Sequence, residues 1–233
     1  MPARRPASKR VPPRARAARP APPLAKLPRV KICGLRSLDD ALAAVEAGAD
    51  ALGFNFWKGT PRHVDLRTAA RIIAALPPFV ATVAVWVDPS EAQVREALGA
   101  CRWSALQFSG EEPEALLASF PPDLVLRTAR LKDARGLRLA RGLPRCAAVL
   151  VDAGVAGSYG GTGRLARWDL AKALARERCV VLAGGLHAGN VADAVAQVRP
   201  YAVDVASGVE SAPGKKDRAK MAAFVRAAKS AAA

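Results

Sequence analysis

Eight times between Arg29 and the C-terminus, a short apolar run, in most cases with β-branched residues, is followed by an Ala/Leu-rich stretch with apolar residues at helical spacing. The runs fall at residues 29–33, 51–54, 79–87, 105–108, 123–127, 146–151, 179–183 and 202–206. The helical stretches fall at 37–47, 68–76, 90–100, 112–119, 132–141, 168–176, 188–198 and 216–228. Strict alternation makes neighbouring strands parallel, because each helix carries the chain back to the end of the sheet where the previous strand began. Eight such units predict an α/β chain closed into a (β/α)8, or TIM, barrel over residues 28–233. An open doubly wound sheet is the alternative, and it calls for GxGxxG directly after the first strand. That turn reads Cys33-Gly34-Leu35-Arg36 here, and the partial match Gly161-Thr162-Gly163 with Ala166 comes too far beyond the sixth run to cradle a pyrophosphate.

Local punctuation agrees with these boundaries. Ser37 with Asp40 three residues on resembles a capping box, and Pro89-Ser90 opens the third helix in the same way. Gly48 stands where a C′ glycine belongs. The fifth helix has the poorest pattern, because Gly136 interrupts it.

The net charge of +16 invites a nucleic-acid reading, but its distribution argues against one. Residues 1–29 hold nine Lys/Arg and no acid, which leaves 27 bases against 20 acids in the rest, a net of +7. Aromatic residues are few and are not interleaved with the bases as a single-strand groove requires. Residues 1–27 are a Pro/Ala/Arg segment that cannot bury enough apolar surface to offset the entropy of ordering, so a disordered, solvated extension is expected. No stretch approaches the roughly 18–20 apolar residues of a membrane span. The four cysteines, Cys33, Cys101, Cys146 and Cys179, form no CxxC pair or metal-ligand spacing, and His63 and His187 stand far apart. A cytoplasmic chain without a metal site is expected, a monomer or dimer.

In a barrel of this kind the active site lies at the C-terminal ends of the strands. Period-two alternation turns Val30 and Ile32 toward the helices, hence Lys31 and Cys33 inward. By the same logic Asp152 points inward at the end of the sixth strand and Asp204 inward on the eighth. Closure would make the first and eighth strands neighbours, so Lys31 and Asp204 can pair. Cys33 ends its strand before a glycine, and a thiol near Lys31 is expected to have a lowered pKa and to act as base or nucleophile. The alternative for Cys33 is a buried small hydrophobe. Asp152 precedes a long glycine-rich loop at residues 153–164, where partial burial would raise its pKa as a general acid requires; the alternative is a loop cap. Gly184-Gly185 after the seventh strand and Ser207-Gly208 after the eighth suit the phosphate site that barrels build from these two loops, although glycines also make ordinary tight turns.

Taken with the motifs that follow, these residues resemble the phosphoribosylanthranilate isomerase family. The carriers are Val30-Lys31-Ile32-Cys33-Gly34, Ala47-Gly48-Ala49-Asp50-Ala51-Leu52-Gly53-Phe54, Pro61-Arg62, Leu106-Gln107, Gly110-Glu111-Glu112, Val151-Asp152 and Gly160-Gly161-Thr162-Gly163. They continue with Trp168, Ala183-Gly184-Gly185-Leu186, Asn190-Val191, the run from Val203 to Glu210, and Pro213-Gly214-Lys215-Lys216-Asp217. The resemblance implies an Amadori rearrangement of N-(5-phosphoribosyl)anthranilate without any cofactor, with Cys33 as general base and Asp152 as general acid. It implies substrate contacts from Arg62, which would hold the anthranilate carboxylate, and from Gln107, Gly184, Gly185, Ser207 and Gly208. Two segments depart from the family pattern: Ser109 stands where a histidine is usual, and Gly163-Arg164-Leu165-Ala166-Arg167-Trp168 replaces GKTFDW. A histidine-pathway isomerase would instead place an aspartate at Cys33, and indole-glycerol-phosphate synthase would require interior lysines and a glutamate. An RNA-binding protein using the basic tail is the non-enzymatic alternative.

Overall fold

The structure is a computed structural model that describes residues 28–152 and 167–231. The basic extension at 1–27 and the glycine-rich loop at 153–164 lie outside the described residues. The barrel strands are β1 (Arg29–Cys33), β2 (Ala51–Asn55), β3 (Ala81–Trp86), β4 (Ala105–Phe108), β5 (Val125–Arg130), β6 (Ala148–Asp152), β7 (Val180–Leu182) and β8 (Ala202–Val205). They pair in parallel, in chain order, and close β8 onto β1. The helices are α1 (Leu38–Glu46), α2 (Leu66–Ala74), α3 (Glu91–Ala100), α4 (Glu114–Ala118), α5 (Ala134–Arg141), α6 (Trp168–Ala175), α7 (Val191–Val198) and α8 (Arg218–Ser230).

Alternation along the strands divides the apolar side chains between two cores. Val30, Ile32, Leu52, Phe54, Val149, Val151, Val203 and Val205 pack in the layer shared with the helices. Val83, Val85, Leu126, Leu150 and Val181 pack inside the barrel with Cys33. Each full burial of such a side chain contributes about 1.5–3 kcal/mol. A one-residue slip would exchange the two sets and place Lys31 and Asp204 among the helices, so the pattern pins the register.

Several boundaries moved for identifiable reasons. Phe79 is not strand: it is fully exposed with φ 69, a left-handed backbone, and β3 starts at Ala81. Pro122–Leu124 forms a 3₁₀ turn, so β5 starts at Val125 and runs on to Arg130. Gly136 does not interrupt α5 but lies in its first turn, where its N–H donates to the Asp133 side chain at 2.8 Å. A Cβ at Gly136 would come within 2.8 Å of the Arg130 carbonyl oxygen, so the glycine permits close strand–helix approach. Ser90 and Gln93 form a reciprocal capping box, whereas Ser37 only accepts from the Asp40 N–H. A hairpin not evident in the periodicity, β9 (Glu210–Ala212) with β10 (Lys215–Lys216), stands between β8 and α8.

Candidate active site

Lys31 faces Asp204 across the β1–β8 seam, and its Nζ donates to Asp204 Oδ1 at 2.7 Å. The same ammonium donates to Gln107 Oε1 at 3.0 Å, and Gln107 Nε2 donates to Ser109 Oγ at 3.1 Å. Ser109 Oγ then shares a 2.9 Å hydrogen bond with Thr128 Oγ1. A polar chain therefore crosses the barrel from β8 to β5 just below the mouth. Ser109, in the place of a histidine, is tied into this chain. Gln107 is buried and bonded at both ends of its amide, so two of its four hydrogen-bonding positions serve the barrel itself.

Cys33 ends β1 above Lys31, buried but lining the cavity at the mouth. Gly53 of β2 is its register partner. A Cβ at Gly53 would lie 2.8 Å from Cys33 Sγ and 3.1 Å from Lys31 Cε, so the missing side chain makes the room in which both project. The expectation of a lowered thiol pKa is overturned. Burial is the largest influence and pushes Cys33 up; Asp204 adds to it, and Lys31 and Lys216 only partly offset the rise. Burial also opposes the Lys31 charge, but Asp204 and Cys33 outweigh it and hold the ammonium above its ordinary range.

Asp152, partly buried at the end of β6, lines the same cavity, and its register partner on β5 is Arg130. Gly184 and Gly185, with φ of 84° and 66°, turn the chain after β7, and Asn190 Nδ2 holds the Gly185 carbonyl at 3.0 Å. Ser207 opens a short 3₁₀ turn after β8. The N–H groups of Gly184, Gly185, Ser207 and Gly208 find no acceptor among the described residues. Gly184, Gly185 and Ser207 line the cavity; Gly208 is not among its lining residues. A Cβ at Gly208 would fall 2.0 Å from the Leu186 carbonyl oxygen, so this glycine lets the β7 and β8 loops touch.

Arg62, in the loop after β2, reaches the cavity wall. Its Nε and Nη2 donate to the two oxygens of Glu210, each at 2.8 Å. Asn55, Thr128 and Arg130 also line the cavity and were not singled out from the sequence. Their inward positions at the ends of β2 and β5 are the signal that would have found them, once the end of β5 is set at Arg130. Among the described residues no group of His, Cys, Asp and Glu is arranged to hold a metal ion, and no helix is long and apolar enough to cross a membrane.

The family model described as N-(5'-phosphoribosyl)anthranilate (PRA) isomerase matches residues 30–227. The Geobacter metallireducens protein named N-(5'-phosphoribosyl)anthranilate isomerase is 49% identical over 201 residues, covering 86% of this chain and 98% of that protein. A crystal structure of phosphoribosyl anthranilate isomerase in complex with reduced 1-(o-carboxyphenylamino)-1-deoxyribulose 5-phosphate is similar with a TM-score of 0.78 at 36% identity, covering 88% of this chain and 100% of that one. A structure of monomers generated from the dimeric Thermotoga maritima isomerase is similar with a TM-score of 0.77 at 35% identity, with coverage of 88% and 100%.

Proposed function

The chain belongs to the N-(5'-phosphoribosyl)anthranilate isomerase family, and from that membership we propose how its own residues divide the work. It is an isomerase of tryptophan biosynthesis, converting N-(5-phosphoribosyl)anthranilate to 1-(2-carboxyphenylamino)-1-deoxyribulose 5-phosphate. In the proposed mechanism Asp152 protonates the furanose ring oxygen, and the C1–O bond breaks as the anilino nitrogen forms a protonated imine. Cys33, as thiolate, removes the proton from C2, and the electron pair moves into the imine to give an enolamine. Proton return to C1 and loss of the C2 hydroxyl proton leave the ketone. The imine is the electron sink, so the step draws on no cofactor. The phosphate is assigned to the loops at Gly184-Gly185 and Ser207-Gly208, and the anthranilate carboxylate to Arg62, with Gln107 beside the reacting sugar.

The observation that carries this reading is a single cavity. It gathers Cys33, Asp152 and the loops with unclaimed N–H groups from four different strands. Purified protein is expected to abolish the anthranilate fluorescence of the substrate, with inorganic phosphate competing. Replacing Gly185 by valine should raise KM, because a branched side chain is strained at its left-handed φ and blocks backbone approach to the anion. The chain shortened by residues 1–27 is expected to match the full chain, since residues 28–233 form the proposed catalytic unit. Unchanged KM in the valine variant would remove the phosphate assignment, and an inactive shortened chain would remove the domain assignment.

The cytoplasm is the proposed compartment, because the spacings of Cys33, Cys101, Cys146 and Cys179 suit neither a CxxC pair nor a small disulfide framework; recovery in the membrane fraction of lysed cells would refute it. We also propose that two copies pair through the N-terminal face of the barrel, as the Thermotoga maritima relative is described as dimeric. Strand starts at Ala51, Ala81, Ala105, Ala148 and Ala202 are small and leave a well of about 590 Å³ there, with the exposed Phe79 on its rim. A two-fold axis lets each Phe79 enter the other copy's well. Sedimentation should give a dimer that Phe79→Glu converts to a monomer; a monomeric wild-type chain at micromolar concentration overturns this.

A further inference from the structure

Two side-chain cations converge on Glu210, a residue outside the chemistry so far described. Arg62 takes both carboxylate oxygens, and Lys216 Nζ donates to Oε1 at 2.8 Å. Glu210 and Lys216 are register partners across the β9–β10 hairpin, so the tight turn between them presents carboxylate and ammonium side by side. Lys216 also donates to the Ala206 carbonyl at 3.0 Å, which anchors the hairpin to the end of β8. All three side chains are withdrawn from solvent, with exposures of 12% for Arg62, 4% for Glu210 and 0% for Lys216.

The Arg62 loop is held from both sides. A Cβ at Gly34, where φ is +81, would lie 2.7 Å from Arg62 Cδ, so the arginine stem rests on that glycine. A Cβ at Gly214, where φ is +77, would lie 2.4 Å from the Pro61 carbonyl oxygen, which also accepts from Arg36 Nη1 at 2.9 Å. Burying one carboxylate with two cations is poor economy for stability alone, since apolar groups of similar volume often serve as well or better. The arrangement does fix direction. A guanidinium is a planar fork, and Glu210 grips the edge made by Nε and Nη2. Nη1 has no partner among the described residues, and Arg62 lines the catalytic cavity.

We infer that Glu210 and Lys216 are positioning residues for substrate selection: the hairpin holds one edge of Arg62 so that the other is preset as a fork for the carboxylate on the substrate's aromatic ring. This rests on the assignment of Arg62 to that carboxylate. Preference for a carboxyl-bearing aryl amine then depends on the hairpin and not on Arg62 alone, because a free arginine would have to be ordered at each binding event.

The test compares inhibition by reduced 1-(o-carboxyphenylamino)-1-deoxyribulose 5-phosphate with inhibition by its anilino counterpart, which lacks only the carboxylate. The ratio of the two inhibition constants measures use of the carboxylate. Wild type should favour the carboxylate by at least roughly tenfold, the worth of a charge-assisted bidentate pair. Arg62→Ala should bring the ratio close to one. Glu210→Gln should lower it several-fold and raise KM while kcat changes little, and Glu210→Asp should recover part of it. Glu210→Gln leaves Lys216 buried without its counter-charge, so the double variant Glu210→Gln/Lys216→Met gives the same reading in a neutral hairpin. If Arg62→Ala collapses the ratio but both Glu210→Gln proteins keep the wild-type value, the hairpin does not position Arg62 and the inference fails. If Arg62→Ala leaves the ratio unchanged, the carboxylate assignment fails first, and this inference with it.

Discussion

Replacing Cys33 with alanine is expected to lower kcat by about a hundredfold or more, within the 10²–10⁴ range of one positioned acid or base, while the product analogue still binds. The reason is local. The thiol is the titratable group at the end of β1, and Gly53 across the strand pair makes its room. Lys31 and Asp204 bond each other at 2.7 Å below it, so neither replaces it in reaching a proton at C2. Cys33→Ser should be nearly as poor, because a hydroxyl is a far weaker base at neutral pH. The pH profile is a second check. Burial pushes the thiol above its ordinary pKa, so the base form grows as pH rises. Wild-type kcat/KM should therefore climb into the alkaline range, and that limb should be missing from the residual activity of Cys33→Ala. Retention of more than about a tenth of wild-type kcat in Cys33→Ala is incompatible with an essential base.

Asp152→Asn is expected to lose a similar roughly 10²–10⁴-fold in kcat, since an amide has no proton to give the ring oxygen. The substitution is close to isosteric, and β6 carries its structural load elsewhere, through Val149 and Val151 toward the helices and Leu150 toward the barrel interior. Folding and analogue binding should therefore persist, with melting temperature as the control. A steady-state loss alone could arise at product release, so single-turnover fluorescence is the decisive measurement. A full-speed first turnover would assign Asp152 to release and not to ring opening.

The fold was legible where a single period governs a segment. Eight short apolar runs placed eight strands, and alternation alone turned Lys31, Asp152 and Asp204 inward, where Asp152 and Asp204 line the cavity and Lys31 pairs with Asp204. It was less legible where chain geometry changes within a few residues. Phe79 has the apolar character of the strand it precedes, yet a left-handed φ ends the extended conformation there. Pro122–Leu124 is too short to show a period, and the β9–β10 hairpin has a two-residue second strand that presents no alternation.

The candidate site divides along the same line. Which residues stand at the mouth follows from strand position and parity, both local properties of the chain, so the sequence by itself determined that Cys33, Asp152 and the glycine turns after β7 and β8 would be there. The charge state of Cys33 does not follow, because it depends on how much water the closed barrel removes; only the tertiary structure decided that desolvation outweighs Lys31. The orientation of Arg62 does not follow either. It is set by Glu210, 148 positions away and joined to it only when β8 closes onto β1 and brings the hairpin over the β2 loop. Periodicity encodes the direction in which a side chain leaves its own backbone, whereas burial and pairing are sums over neighbours that the folded chain alone assembles.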